Sequence, residues 1–338
     1  MKTPVVAAML LGAALAMPAK AQDFIFRMHS FGSPKSLDHT IHLDRWAENV
    51  EKDSNGRIKI EVYPAMQLGG RPGDLPQQME DGVVDIIWTL PGFTPGRFPG
   101  TQGLELPFMN TGKSATMSPA AMEFVTGHLQ KEFEGIYLVS IHATDAALIH
   151  TVKKPIKTLE DFKGMKLRVA GRFIGEAVKA LGATPVGIPL PGVYEALSRG
   201  QVEGMLINWA ITKPFRFYEV TNHHSELALY QSMLMTMMRG ASYNKLPADL
   251  KAVVDRNSGI AWAKKMGVAW DTQTAPARKA IVDHGNNVFK VSDAEIARWK
   301  KAVQPAYDAW IAEMNGRGYD GAALFKTLQD ITGKHGRM

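Results

Sequence analysis

The sequence predicts an α/β protein built as two similar halves, with a helical remainder. Three observations predict this. Segments read strand, helix, strand, helix, strand between Phe24 and Leu90; the same grammar returns between Ile136 and Asn208; and helical patterning dominates from Ala248 onward. A chain of 338 residues suits about two domains of ordinary size. With 45% hydrophobic and 21% charged residues it is neither disordered nor of low complexity.

Taken in order, Phe24 to Met28 (FIFRM) is a mainly apolar run suited to a strand of a buried parallel sheet. Leu43, Trp46, Ala47 and Val50 recur at i, i+3, i+4 and i+7, one face of a helix that Asn55-Gly56 ends. Ile58, Ile60 and Val62 alternate with polar residues, the pattern of a half-buried strand. A short helix near Leu75 to Asp81 leads to an apolar strand over Val83 to Leu90, and this alternation argues for a largely parallel sheet. In the second half, Ile136 to Ser140 and Lys166 to Val169 read as strands, with a capping-box pattern at Thr158-Leu159-Glu160-Asp161 between them. Phe173 to Leu181 and Val193 to Ser198 read as helices around a proline-rich connector, and Gln201 to Asn208 as another strand. Gly82-Val83-Val84-Asp85 and Gly200-Gln201-Val202-Glu203 share the form Gly-x-Val-acid. The echo fits two similarly built lobes and fits chance equally well. Ala248 to His284 has few breakers beyond Gly259, Gly267 and Pro276. Ser292-Asp293-Ala294-Glu295 opens a helix carrying Trp299, Val303, Tyr307 and Trp310, and a helix near Leu324 to Ile331 closes the pattern.

Lys2, the apolar stretch Val5 to Ala16 and the small-x-small triplet Ala19-Lys20-Ala21 predict a signal peptide over residues 1–21, with Gln22 as the mature start. Twelve residues are too few for a membrane-spanning helix, which needs about 20. Removing the 21 residues, with Lys2 and Lys20, takes 338 residues to 317 and the formal charge from +6 to +4. The expectation is a protein exported to a Gram-negative periplasm that does not itself span a membrane. The absence of cysteine excludes a disulfide framework, a thiolate metal site and a cysteine nucleophile. The 39 basic and 33 acidic residues are spread without a run of five like charges, so no nucleic-acid stripe is expected. No Gly-x-Ser-x-Gly elbow, His-Glu-x-x-His, phosphate loop or dinucleotide fingerprint is present. The pairs His39/His42 and His223/His224 lack carboxylates at zinc-like spacing, and alternating Met233, Met235 and Met237 fit a buried strand. No catalytic residue, metal site or cofactor is expected.

Arg168 stands out because it sits in an apolar strand, between Leu167 and Val169. An unpaired buried charge is expensive, and a guanidinium fork matches a carboxylate with two parallel hydrogen bonds. Periodicity alone leaves open a ligand carboxylate, a structural ion pair with a protein acid, or an arginine at an exposed strand end.

Leu43 to Gly70 (LDRWAENVEKDSNGRIKIEVYPAMQLGG), Gly82 to Ile86 (GVVDI), Leu104 to Met109 (LELPFM), Leu159 to Val169 (LEDFKGMKLRV) and Tyr194 to Gly204 (YEALSRGQVEG) together resemble the substrate-binding proteins of tripartite ATP-independent periplasmic (TRAP) transporters. The similarity covers nearly the whole chain after the leader. It implies a two-lobed periplasmic binding protein fold with mixed, mostly parallel sheets and a long helix, from about Leu250 to about Asp283, bridging both lobes. The implied division is 22–145 plus about 236–275 for one lobe and 146–235 plus about 276–338 for the other. The resemblance gives Arg168 the role of binding the substrate carboxylate, and Asn208 that of a polar contact one residue out of register with sialic-acid-type members. Those members carry an extra arginine upstream of the Lys-x-Arg-Val strand, where this chain has Ala147 to His150 (ALIH), which turns the reading away from sugar acids. Trp209, and the stretch Trp88 to Pro99, resemble a branch with tryptophan after the Val-acid-Gly segment. Phe31, Trp88, Phe108, Phe173 and Trp209 are then the expected walls of a cleft, with His150 beside them. The expected ligand is a small organic monocarboxylate, aromatic or a hydroxy or oxo acid, held with hinge closure. The expected partners are the transporter's membrane subunits, met by a monomeric binding protein. A protein feeding a sensor, or an exported enzyme acting on a small acid, are the rival readings.

Overall fold

A computed structural model describes residues 22–337, so the leader expected over residues 1–21 lies outside the described residues. Strands β1 (Phe24–Ser30), β2 (Ile58–Tyr63), β3 (Ile86–Thr89), β4 (Ile136–Ala143) and β10 (Met233–Arg239) form one sheet in the order β2-β1-β3-β10-β4. Strands β5 (Ala147–Thr151), β6 (Lys166–Val169), β7 (Thr184–Gly187), β8 (Gly204–Asn208), β9 (His223–Tyr230) and β11 (Asn287–Lys290) form a second in the order β11-β9-β5-β8-β6-β7. In the first sheet β1 runs parallel to β2 and β3, while β10 is antiparallel to β3 and β4. In the second, β6 runs parallel to β7 and β8, β9 parallel to β11, and β5 antiparallel to β8 and β9. The sheets are therefore mixed with parallel pairing in the majority, as expected. The antiparallel pairings all involve β5 or β10, the strands that follow the chain's passages from one sheet to the other.

Helices α1 (Asp44–Asp53) and α2 (Leu75–Glu80) flank the first sheet, and α4 (Arg172–Ala180) and α5 (Val193–Ser198) the second. The periodic face of α1 is buried at Trp46, Ala47 and Val50. The helix stops where Asn55 and Gly56 turn to positive φ (54° and 80°), a conformation Gly adopts without strain. Further helices are α3 (Ser114–His128), the single turn α6 (Trp209–Thr212), α7 (Gly240–Asn244), α8 (Ala248–Arg256), α9 (Gly259–Asp283), α10 (Asp293–Ala302), α11 (Gln304–Gly316) and α12 (Gly321–Gly336). Three expectations change. The helix expected over Leu250–Asp283 is broken into α8 and α9, because Gly259 takes φ +76° and Ser258 donates its hydroxyl to the Val254 carbonyl at 2.7 Å. The helix opened by Ser292 ends at Ala302, because Pro305 lies in the first turn of α11 and cannot donate to a continuing ladder. The strand expected from Gln201 begins at Gly204, since the amide of Gln201 closes α5 through Ala196 O at 2.9 Å.

Two short passages join the sheets. β4 enters β5 through Thr144–Ala146, and β9 enters β10 through Gln231–Ser232. The passages run side by side: Thr144 N donates to Ser232 O at 2.9 Å, and Ser232 N to Thr144 Oγ1 at 3.3 Å. The third connection is α9. Its first half buries Trp262, Met266 and Trp270, and Asp271 accepts from the Ser114 and Ala115 amides that open α3, at 2.8 and 3.0 Å. Its second half carries Arg278, which meets Glu226 of β9 at 2.6 Å. One rigid helix therefore touches both halves, as the long-helix expectation requires of its middle and end.

Candidate functional site

A cavity lies where the two halves face each other. It opens beyond the carboxyl ends of β1, β3, β6 and β8, the usual place for a ligand in open α/β sheets. Phe31, just after β1, stacks on Trp88 of β3 with ring centroids 4.4 Å apart and planes 15° from parallel. Phe93 meets Phe31 edge-on at 5.0 Å. Leu190, Ile207 and Ile211 close the other side.

Arg168 also lines this cavity and is 3% exposed. β6 lies between β7 and β8, so the guanidinium reaches carbonyls on both sides: Nε donates to Ile188 O at 2.8 Å and Nη1 to Leu206 O at 3.4 Å. Burial lowers its pKa, with Tyr230 beside it acting in the opposite direction. Among the described residues no carboxylate pairs with Arg168, so neutral carbonyls orient the fork and leave its charge uncompensated. Neither the structural ion pair nor the exposed strand end fits that placement.

Asn208 lines the cavity as well, but its Nδ2 donates to Asp145 in the first passage between sheets. Asp145 further accepts from Ala210 N and Thr274 Oγ1, both at 3.2 Å. One buried carboxylate thus ties together β8, α6 and α9, and burial pushes it up to about 6. Glu105 lies by the second passage, accepts from Met233 N at 2.9 Å and is pushed by burial up to about 8.

Three expected wall residues, and His150 expected beside them, lie elsewhere. Trp209 opens α6 and turns its ring toward β5 and β9, edge-on to His150 at 5.4 Å, lining a neighbouring hollow with Leu148 and Leu227. His150 is fully buried in the second sheet and bonded to His224, Nδ1 to Nδ1, at 2.6 Å. Phe173 is buried on the apolar face of α4, beneath the Arg172 guanidinium. Phe108 sits at φ +60° in the loop before α3, under the Lys300 ammonium. In each case neighbours outside the cavity take up the ring: β5 and β9 for Trp209 and His150, the buried face of α4 for Phe173, and α10 for Phe108. The cavity instead recruits Asp38, Thr144, Tyr230, Ser232 and Trp270, none of which carries a local sequence signal.

Buried between two sheets, with one uncompensated guanidinium and aromatic walls, the cavity is built to capture a small anion. The profile of the bacterial extracellular solute-binding protein family 7 matches residues 29–313, and the chain belongs to this family. Within it, the chain is a TRAP-type solute-binding protein, as the motif resemblance implied. A marine metagenome TRAP solute-binding protein specific for aromatic acid ligands, in complex with metahydroxyphenylacetate, is similar to it. The identity is 38% and the TM-score 0.88, over 92% of this chain and 99% of that one. A TRAP solute-binding protein from Rhodoferax ferrireducens T118, in complex with copurified benzoate, is 37% identical with a TM-score of 0.88, over 93% and 98%. A third, from Bordetella bronchiseptica with bound (R)- and (S)-mandelate, is 27% identical with a TM-score of 0.84, over 92% and 99%. No described helix is long and apolar enough to cross a membrane.

Proposed function

We propose that this protein captures a small aromatic monocarboxylate in the cavity between its lobes, with Arg168 receiving the carboxylate and Phe31, Trp88 and Phe93 packing on the ring. The carrying observation is the buried, oriented Arg168 without an acidic partner in an otherwise largely apolar chamber. The three similar proteins with benzoate, metahydroxyphenylacetate and mandelate support the same chemistry. The lobes divide as 22–145 plus about 233–275 and 146–232 plus about 276–338, because the expected boundary at 235/236 would cut β10, and α12 leans back on α3 through Glu123 and His335. Capture closes the lobes about the two passages and α9. The closed monomer then docks on the membrane subunits of a TRAP transporter, in the periplasm, after removal of residues 1–21. Transport energy comes from an ion gradient, and the binding protein performs no chemistry on its ligand.

Calorimetric titration of the processed protein with benzoate, 3-hydroxybenzoate, mandelate and glucuronate tests this reading. Binding of an aromatic acid with no heat from glucuronate is expected. Truncating a buried charged contact costs about 2–5 kcal/mol, so Arg168→Ala should weaken binding roughly 30- to several-thousand-fold. The variant should keep its fold, because Arg168 has only carbonyl partners to lose. Equal affinity in Arg168→Ala, or turnover of the bound acid, would overturn the proposal.

A further inference from the structure

Asp38 is a further polar group lining the cavity, contributed by the segment after β1, whereas Arg168 comes from β6 of the other sheet. It opens the helical turn Asp38–Leu43 after β1 and is 5% exposed. Its Oδ1 is buried without a hydrogen-bond partner among the described residues, while the Ser36 hydroxyl lies close enough to the carboxylate to favour its ionised form. The neighbouring His39 does not serve it, since its ring nitrogens engage Ser30 Oγ at 2.6 Å and Asp44 Oδ1 at 3.2 Å. Trp88, whose ring forms the cavity wall, has a buried Nε1 that is also without a described partner. Polar atoms left buried and unbonded cost stability, so a ligand group that reaches these two lining residues gains by satisfying them.

We infer that Asp38 and Trp88 form a specificity subsite for a ring hydroxyl, so that the ligand is a hydroxylated aromatic acid anchored at Arg168 by its carboxylate. This rests on the aromatic-acid reading above. A phenol has the right groups for each of them: its O–H can donate to the Asp38 carboxylate, and its oxygen lone pairs can accept from the indole N–H of Trp88. Burial pushes the Asp38 carboxyl up to about 7, so near neutral pH it also serves as the neutral acid, donating to the phenol oxygen instead. A second ring carboxylate has no proton to give at that pH and meets like charge whenever Asp38 is ionised. With Asp38 ionised, above its raised pKa, the subsite therefore selects a hydroxyl and rejects a dicarboxylate, which Arg168 alone would not do.

The test is a titration of benzoate, 3-hydroxybenzoate, 4-hydroxybenzoate and isophthalate against the parent and Asp38→Ala. In the parent, titrated at about pH 8.5 so that Asp38 is ionised, one hydroxybenzoate should bind at least about tenfold tighter than benzoate, and isophthalate weaker than benzoate. In Asp38→Ala the ratio between that hydroxybenzoate and benzoate should fall to near one. If Asp38→Ala does not fold, Asp38→Asn serves, with the ratio expected to drop at least about threefold. Benzoate binding with no preference for either hydroxybenzoate, or a preference that survives substitution of Asp38, would overturn the inference and leave the aromatic-acid reading standing. Failure of every aromatic acid to bind would overturn both.

Discussion

Trp209 illustrates how far one residue's neighbours can redirect its role. Directly after β8 it looks placed to wall the cleft, yet its ring packs against His150 and His224, with 4% of its surface exposed. Truncating a buried tryptophan typically costs about 3–5 kcal/mol in lost burial and residual cavity. Trp209→Ala should therefore lower the melting temperature by several degrees while leaving benzoate affinity, measured on the folded fraction, within about threefold of the parent. A large affinity loss with little change in melting temperature would return Trp209 to the ligand wall. Arg168 is the opposite case. Its misfit with an apolar strand was legible in the residues themselves, because the cost of burying a charge holds wherever the strand lies. Asp38 and Trp270 were not legible. Each lies in an ordinary helical stretch, and only the two passages between sheets bring residues so distant in sequence to one chamber.

At the scale of elements, β5 and β9 are joined by a chain of buried hydrogen bonds as well as by their ladder. His150 Nε2 donates to Ile207 O at 3.1 Å, which leaves its Nδ1 as acceptor for His224 Nδ1 at 2.6 Å. Asn286 Nδ2 in turn donates to His224 Nε2 at 3.1 Å. This assignment requires both rings to be neutral. Burial pushes His150 down to about 4; burial and the charge of His150 push His224 down to about 2. Below pH 6.5 the unfolded chain binds protons that the folded pair does not, so stability falls as pH drops from about 6.5 toward 4. For His150 alone this is on the order of 2 kcal/mol between pH 7 and pH 5. Asp38, Asp145 and Glu105, raised by burial, act in the opposite direction over an overlapping range. The diagnostic quantity is thus the difference from a variant with leucine at positions 150 and 224. Urea midpoints should converge, or the variant overtake, as pH falls from 7 to 5; parallel midpoints would argue against a neutral pair. Periodicity found the strands and helices with one wet face, such as α1 and β2. It passed over β5 and β9, whose buried polar residues break the apolar pattern that signals a central strand.

The whole molecule turns on how the two lobes meet, and one glycine marks the contact. Gly92, in the turn after β3, abuts the segment that follows β6. A Cβ placed on it would stand 2.9 Å from Ala170 O and 2.9 Å from Gly171 Cα. Both are backbone atoms of the other lobe, so no side chain can swing aside to make room. The backbone of Gly92 is not in the left-handed region, so a larger residue is conformationally acceptable whenever the lobes stand apart. Gly92→Val should therefore penalise only the state in which they touch. Overpacking of this kind costs about 1–3 kcal/mol. Where capture requires closure, that penalty appears directly as a lower fraction of binding-competent protein, roughly 5- to 150-fold in affinity. Gly171→Ala is the matched control, since its Cβ meets nothing nearer than Glu105 Oε2 at 3.4 Å. Small-angle scattering should show the parent and Gly171→Ala contracting on addition of benzoate, and Gly92→Val remaining extended at the same concentration. The ligand-free melting temperatures of all three should agree within a few degrees, because the lobes keep their separate cores. If Gly92→Val contracts and binds as the parent does, the touching arrangement is not the ligand-holding state, and Arg168 must take its carboxylate in a more open cleft.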